Sequence, residues 1–572
     1  MAKADAYRHS TSSHLLVVAF DFGTTYSGYA FSFRNEPLKV QTNQNWIAGS
    51  EKLVSLKTPT CVLLSPDKNF HSFGYEAENK YSELAFDENH AGWLLFRRFK
   101  MLLYEQKKLT REAQIDDING NPMPAMIIFA MSIRYLKEHF LSQLDKQVTG
   151  VQETDIKYVL TVPAIWDDRA KQFMREAAVE AGIDTTRLRL ALEPEAASVW
   201  CQTLKDNDVA TVTESGTQYM VVDLGGGTVD VSVHGMKPDG SLNELHKASG
   251  GPWGGTNVDN NYIAWLSKVF GQRAIERFQA EDMASFFDLL RELETNKRSV
   301  RFDAMQPLIF RISATLKEIS EEEKGDNLSA RLAGKNVVVK RDKMKIDQAV
   351  VRQWFDGPVD NIIRHIKGIL SEPSMESVNT ILLVGGFAES KYVQEKIIHA
   401  INYKRFIIPN DAGLTVLKGA VRFGHEPTII STRVMNYTYG VDMIKQFDGT
   451  KYHEYLRLTI DGKDVVARPV FEKLVSAGET LKIDHEANIV GIPRNAEFSI
   501  ARIFRTADPD PIFTTDPGCV ELGSITVYHP EGDTLKDKST LITVVFGDTE
   551  LRVKARVTKT GKEFNTLIDC LQ

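Results

Sequence analysis

From Leu15 to about Gly424, short apolar runs alternate with amphipathic segments. Leu15 to Phe20, Tyr158 to Val162, Tyr219 to Val222 and Ile381 to Val384 are rich in Val, Leu and Ile and predict buried strands. Between them, Asp168 to Ala181 predicts a helix. Ala170, Phe173, Met174, Ala177 and Ala178 recur at helical spacing, Asp167 or Asp168 can cap the start, and Gly182 can end it. The alternation predicts an α/β architecture. From about Pro427 the period changes to two. Leu456, Leu458 and Ile460 alternate with polar residues and run into Asp461-Gly462, a hairpin signal. Leu551, Val553, Ala555 and Val557 alternate in the same way, which predicts antiparallel β structure with one buried face. The expected organisation is a tail over 1–14, an α/β unit over 15–424, a junction over 425–438 and a β-rich unit over 439–572. No long helical pattern follows the last strands.

The α/β unit contains a faint repeat. LVVAFDFGTTYSGYAF at 16–31 and MVVDLGGGTVDVSV at 220–233 each run from an apolar strand to an Asp, a Gly/Thr-rich turn and a second apolar strand. In the first copy a strand delivers Asp21. Gly23 lets the backbone approach a ligand, and Thr24 and Thr25 add hydroxyl donors. Such a turn can cradle phosphate oxygens while the Asp holds Mg2+ through water, although alone it also reads as an ordinary hairpin. In the second copy Asp223 precedes Gly225, Gly226, Gly227 and Thr228, with Asp230 behind them. Consecutive glycines cost backbone entropy, so something must require them, and close approach of a polyphosphate is the natural candidate. Gly385-Gly386 ends a strand before an expected helix over Glu389 to His399, where it can pass beneath a nucleoside or its α-phosphate. Glu294, Lys297, Arg298 and Arg301 share one helical face, which alone reads as a solvated face with ordinary ion pairs. There is no P-loop and no dinucleotide fingerprint.

Composition narrows the class. Of 572 residues, 42% are hydrophobic and 25% charged, enough for sizeable cores. The net charge of -7 argues against a nucleic-acid partner, which needs a concentrated basic surface. Cys61, Cys201, Cys519 and Cys570 are far apart and form no C-x-x-C pair, which fits a reduced compartment. The first apolar run is too short for a signal-peptide core, and no stretch reaches membrane-span length. The cytosol is the expected location, with the nucleus as a second compartment.

Read in order, these pieces resemble the nucleotide-binding domain of the actin, hexokinase and heat-shock-70 superfamily, and the heat-shock-70 branch above all. Asp21 to Ser27 resembles its first phosphate loop and Asp223 to Asp230 its second. Val162 to Asp168, Ala181-Gly182 and Leu192-Glu193-Pro194 resemble its connecting segment, and Leu383 to Gly386 its adenosine segment. Within that family the chain resembles the divergent heat shock 70 kDa protein 12 branch (the 12A and 12B type). Phe99-Lys100-Met101, Gly385 to Ser390, Thr514 to Gly518 and Phe546 to Glu550 carry that likeness, so it extends over the β region.

The resemblance implies a two-lobed actin-like ATPase (a duplicated ribonuclease-H-like domain) followed by a smaller antiparallel β domain. ATP or ADP would lie between the lobes with Mg2+, and K+ would be a further candidate ion. Asp21 and Asp223 would orient the metal's water shell. Gly23, Thr24, Thr25, Tyr26 and Gly225 to Gly227 would line the phosphates. Lys100, Glu193, Asp223, Thr228 and Asp230 would be catalytic, and Glu294, Lys297, Arg298, Gly385 and Gly386 would contact the nucleoside. Phosphoryl transfer asks for positioning and electrostatics more than covalent help.

The chain departs from the family at Arg301 (usually Ser), near Glu389 (where the family usually carries an Arg after the Gly-Gly step) and at Lys171 (usually Arg). Its junction lacks the short Leu-rich, Asp-ended linker, and neither a helical lid nor an acidic tail motif follows the β region. Two readings follow: a slow ATPase whose nucleotide state switches binding of a protein partner or client, and a non-hydrolysing nucleotide-gated scaffold. A sugar kinase of the same fold is a third, and it gives the β domain no role.

Overall fold

The computed structural model describes all residues except 1–13, 44–45, 49–52, 107, 205–209, 461, 492–497, 529–538 and 572. The expected tail therefore lies almost wholly outside the described residues, as does Asp461.

Every apolar run singled out by its pattern forms a strand. In the first lobe, Leu16–Phe22 pairs antiparallel with Tyr26–Phe33 and parallel with Ile156–Val162, which pairs parallel with Leu188–Leu192. The second lobe repeats the plan. Gln218–Leu224 pairs antiparallel with Val229–Met236 and parallel with Thr380–Val384, which pairs parallel with Arg405–Ile407. The helix Asp168–Glu180 forms as expected, and the Asp167 side chain accepts from the Ala170 amide at its start. The expected helix near Glu389 is split into a turn at Phe387–Glu389 and a helix at Lys391–Ala400. Each lobe has its own core.

Two helices, Glu193–Cys201 and Thr415–His425, lie between the sheets. Their core joins Val17, Ala19 and Val159 of the first lobe to Val221, Leu382 and Val384 of the second. A Cβ at Gly419 would stand 1.7 Å from Ala196 O, so only glycine permits the helices to cross this closely.

The β region contains a two-stranded hairpin, Arg457–Ile460 with Lys463–Val466, and two four-stranded antiparallel sheets. One runs in the order Val470–Val475, Thr438–Met443, Phe498–Thr506, Val520–Tyr528. The other runs His485–Gly491, Thr540–Phe546, Arg552–Val557, Glu563–Leu567. In Arg552–Val557 the expected alternation holds, with Val553, Ala555 and Val557 inward. Among the described residues no α-helix follows Thr415–His425. Within the expected junction, Ile430–Val434 is a strand that pairs with Leu242–Gly251 of the second lobe. Arg433 within it makes a buried two-pronged bond to Glu195, at 2.7 Å on each prong. Leu571 is buried in the first lobe's core. The β region is thereby fastened to the nucleotide lobes by strand pairing, a buried ion pair and its last described residue.

Candidate functional site

The two Asp-bearing hairpins meet where the lobes face each other. A Cβ on Gly226 would stand 2.3 Å from Thr25 Oγ1. One on Gly227 would stand 2.3 Å from Met101 Sδ and 2.6 Å from Thr24 Oγ1. Glycine is required there because the two turns touch. The turn 225–227 is held from behind: its carbonyls accept from the amides of Gly255, Thr256 and Gly254. The first turn is braced by Thr60, whose Oγ1 donates to Gly23 O at 2.7 Å and whose amide donates to Thr25 O.

Around these turns lie four buried carboxylates, Asp21, Glu193, Asp223 and Asp230. Two ammonium groups face them. Lys100 Nζ donates to Glu193 Oε1 at 2.9 Å and sits 5.0 Å from the Trp166 ring centroid. Lys57 Nζ donates to Asp21 Oδ2 at 2.5 Å. Asp21 also accepts from Thr161 Oγ1 at 2.9 Å, and Asp230 accepts from the Ile165 amide at 2.9 Å. Burial opposes the ionisation of Asp21, but Lys57, aided by Lys100 and Thr161, holds its carboxyl below the ordinary range. The other three go the opposite way. Burial pushes Glu193 up to about 7 against the pull of Lys100. Burial pushes Asp230 up to about 6 despite the Ile165 amide and Thr228. Asp223 is driven well above its ordinary value by burial and then by Glu193, Asp230 and Asp21.

Four carboxylates outnumber the two ammonium groups, and the raised proton affinity of Glu193, Asp223 and Asp230 marks a shortage of positive charge that a divalent cation would relieve. The donor set therefore fits Mg2+. Among the described residues no three His, Cys, Asp or Glu side chains converge closely enough to bind a metal directly. That suits Mg2+, which keeps much of its water shell and takes its other ligands from phosphate.

The expected nucleoside residues are arranged differently from one another. Gly385, at φ 89°, packs on the second hairpin: a Cβ there would stand 2.3 Å from Asp223 Oδ1. A Cβ on Gly386 would meet nothing within 4 Å, so this residue borders open space. Lys297 is nearly buried and engaged by Asp259 at 2.7 Å and Glu294 at 2.8 Å. Arg298 pairs with Glu294 at 3.1 Å, with its guanidinium 5.8 Å from the Tyr26 ring centroid. Asp259 also accepts from Arg98 at 2.6 Å, which ties the first lobe to the second.

Comparisons with known proteins agree with this geometry. Residues 94–407 match the family model described as Hsp70 protein. Heat shock 70 kDa protein 12B of Homo sapiens is 33% identical over 98% of this chain and 92% of its own length. Heat shock 70 kDa protein 12A of Mus musculus is 33% identical over 97% of this chain and 92% of its own. The chain belongs to the Hsp70 family. A more distant relative, chaperone protein DnaK of Mycoplasmopsis synoviae (strain 53), is 25% identical over 55% of this chain and 48% of its own length. The 12A and 12B relatives thus match through the β region, whereas this DnaK matches only about half of the chain. Membership supports a nucleotide-binding, chaperone-like protein with ATP or ADP and Mg2+ as implied ligands. No helix among the described residues is long and apolar enough to cross a membrane.

Lys57, Thr161, Arg98 and Asp259 are additions that the sequence reading did not contain. Lys57 precedes Thr58–Pro59, a two-residue strand paired with Tyr26-Ser27. Neither its type nor its spacing from Asp21 forms a recognisable motif. Lys171, where the family usually has Arg, lines a small cavity at the seam with the β region, together with Gln172, Glu550 and Ile568.

Proposed function

We propose that this Hsp70-family chain binds ATP and ADP with Mg2+ between its two hairpins, hydrolyses ATP slowly, and uses nucleotide state to regulate binding of a protein partner. The observation that carries the reading is the buried excess of carboxyl groups over ammonium groups where two glycine-bearing turns meet. Asp21 and Asp223 would hold the hydrated metal. Thr24, Thr25 and the Gly225 to Gly227 turn would bind phosphate oxygens. When bound, Mg2+ supplies charge neutralisation on the phosphates. Lys100 would then face the terminal phosphate. Glu193, Asp230 and Thr228 would orient the attacking water, and Glu193, with its raised proton affinity, can take up the proton at its carboxylate near neutral pH. For K+ the site offers no support comparable to the carboxylate excess.

The β region has the attachments that such regulation requires. Arg505 pairs with Asp167 at 2.8 Å and Asp168 at 3.1 Å, at the start of the helix that follows the connecting segment. Ile165 of that same segment donates to Asp230. A change at the phosphates would therefore have a short covalent path to the seam.

A non-hydrolysing, nucleotide-gated scaffold is the second reading. It is favoured by the touching turns and by the Arg98–Asp259–Lys297 bridge, which joins the two lobes. Single-turnover hydrolysis with Mg2+ separates the two. The ATPase reading expects wild type to release inorganic phosphate and Asp223→Asn to release it about 100-fold more slowly. Binding without phosphate release by wild type would leave the scaffold reading standing. Phosphate transferred to an acceptor would point to a kinase.

A further inference from the structure

The two hairpins differ at the residue that faces the aspartate across the strands. In the second, Asp223 faces Asp230; in the first, Asp21 faces Gly28. A Cβ at Gly28 would stand 3.0 Å from Lys57 Cγ. The stem of Lys57 thus runs through the space that a side chain at position 28 would claim, and its ammonium ends on Asp21. This placement is built rather than incidental. Ser55 Oγ donates to Lys57 O at 2.6 Å, and Thr58–Pro59 pairs with Tyr26-Ser27. Thr60 Oγ1 lies 2.7 Å from both Ser27 Oγ and Gly23 O. The segment carrying Lys57 is therefore fastened to the first phosphate turn on its C-terminal side and held by Ser55 on the other. Only 18% of the lysine side chain is exposed.

We propose that Lys57 is a second phosphate-facing cation of this site, one that takes over part of the charge neutralisation otherwise left to Mg2+. The proposal rests on the reading of the hairpins as a polyphosphate site. With Lys57 present, an incoming polyphosphate meets four carboxylates offset by two ammonium groups; without it, by Lys100 alone. Metal and lysine neutralise the same charges in a site from which water is largely excluded, so each matters most when the other is missing. A lysine that only braced its strand would behave differently. Its loss would weaken nucleotide binding by the same factor with and without metal.

The test measures ADP affinity of the full chain in excess Mg2+ and in excess EDTA, for wild type, Lys57→Met and Lys57→Arg. ADP is the probe because it undergoes no turnover. The ratio of the EDTA Kd to the Mg2+ Kd is expected to rise about tenfold or more in Lys57→Met and to return toward wild type in Lys57→Arg. Lys57→Gln keeps a donor for Asp21 while removing the charge, and it carries the same expectation if Lys57→Met does not fold. An equal ratio in wild type and the uncharged variants overturns the proposal while leaving the nucleotide site intact. Absence of ADP binding to wild type in Mg2+ overturns the underlying reading and the proposal with it.

Discussion

The first and second hairpins share a backbone plan but not an electrostatic state. In each, an apolar strand with a parallel neighbour carries an aspartate one residue before its end, turns through glycine, and returns along an antiparallel strand. Yet Asp21 is held ionised by Lys57, whereas Asp223 lies among carboxylates and, among the described residues, forms no ion pair with Lys or Arg. The duplicated strands fix where the two aspartates stand. Residues outside the repeat fix what charge they carry. One half of the cleft thus has its counter-charge built in, and the other does not.

The sharpest way to break this comparison is to neutralise each aspartate in turn. Asp21→Asn leaves the mostly buried Lys57 ammonium without its counter-charge and is expected to lower the melting temperature of the nucleotide-free protein by roughly 5 °C. Asp223→Asn removes a repelled carboxyl and is expected to raise it by roughly 2 °C. Differential scanning fluorimetry reads both, and equal downward shifts would show that the two sites are electrostatically alike.

A second test varies pH. A carboxyl whose folded pKa lies above its unfolded value binds more protons when folded, so stability falls as pH rises between the two values and levels off above. For Glu193 that window runs from 4.5 to about 7, and for Asp230 from 3.8 to about 6. The nucleotide-free protein is therefore expected to lose stability across this range. Glu193→Gln should flatten the upper part of the slope in melts recorded from pH 5 to 7.5. A slope unchanged by the substitution would remove Glu193 from the set of repelled groups.

The smallest expected effect concerns the contact between the turns. Gly226→Ala places a Cβ against Thr25 Oγ1 and Cγ2. It is expected to cost about 1 kcal/mol of stability. Adding Thr25→Ala should restore most of the loss, as judged by denaturant unfolding of single and double variants. If the double variant is no better than the single, the turns do not touch in solution.

Much of the fold was legible because strand and helix periods are local properties. The four apolar runs, the Asp167-capped helix and the alternation in Arg552–Val557 all follow from spacing. The second turn was legible for a related reason, since consecutive glycines beside an aspartate demand a cause, and the first through its likeness to the second. Lys57 was not legible. It reaches Asp21 across a sequence separation of 36 residues through a two-residue strand that has no period to read. The charged face Glu294, Lys297, Arg298 was visible, but not its closure by Asp259 and Arg98 of distant segments. The packing of Gly385 against Asp223 was not visible either, since it depends on the pairing of distant strands. The strand Ile430–Val434 and the burial of Leu571 in the first lobe are likewise products of tertiary contact, which no local pattern announces.

The central claim is that the two hairpins form one Mg2+–nucleotide site, and calorimetric titration of ATP with Mg2+ into the full chain tests it most directly. The account predicts one nucleotide bound per chain in wild type and no measurable binding in the Asp21→Asn/Asp223→Asn double variant, with that variant still folded by circular dichroism. Binding that persists undiminished in the folded double variant, or a wild type that binds no nucleotide, would contradict it.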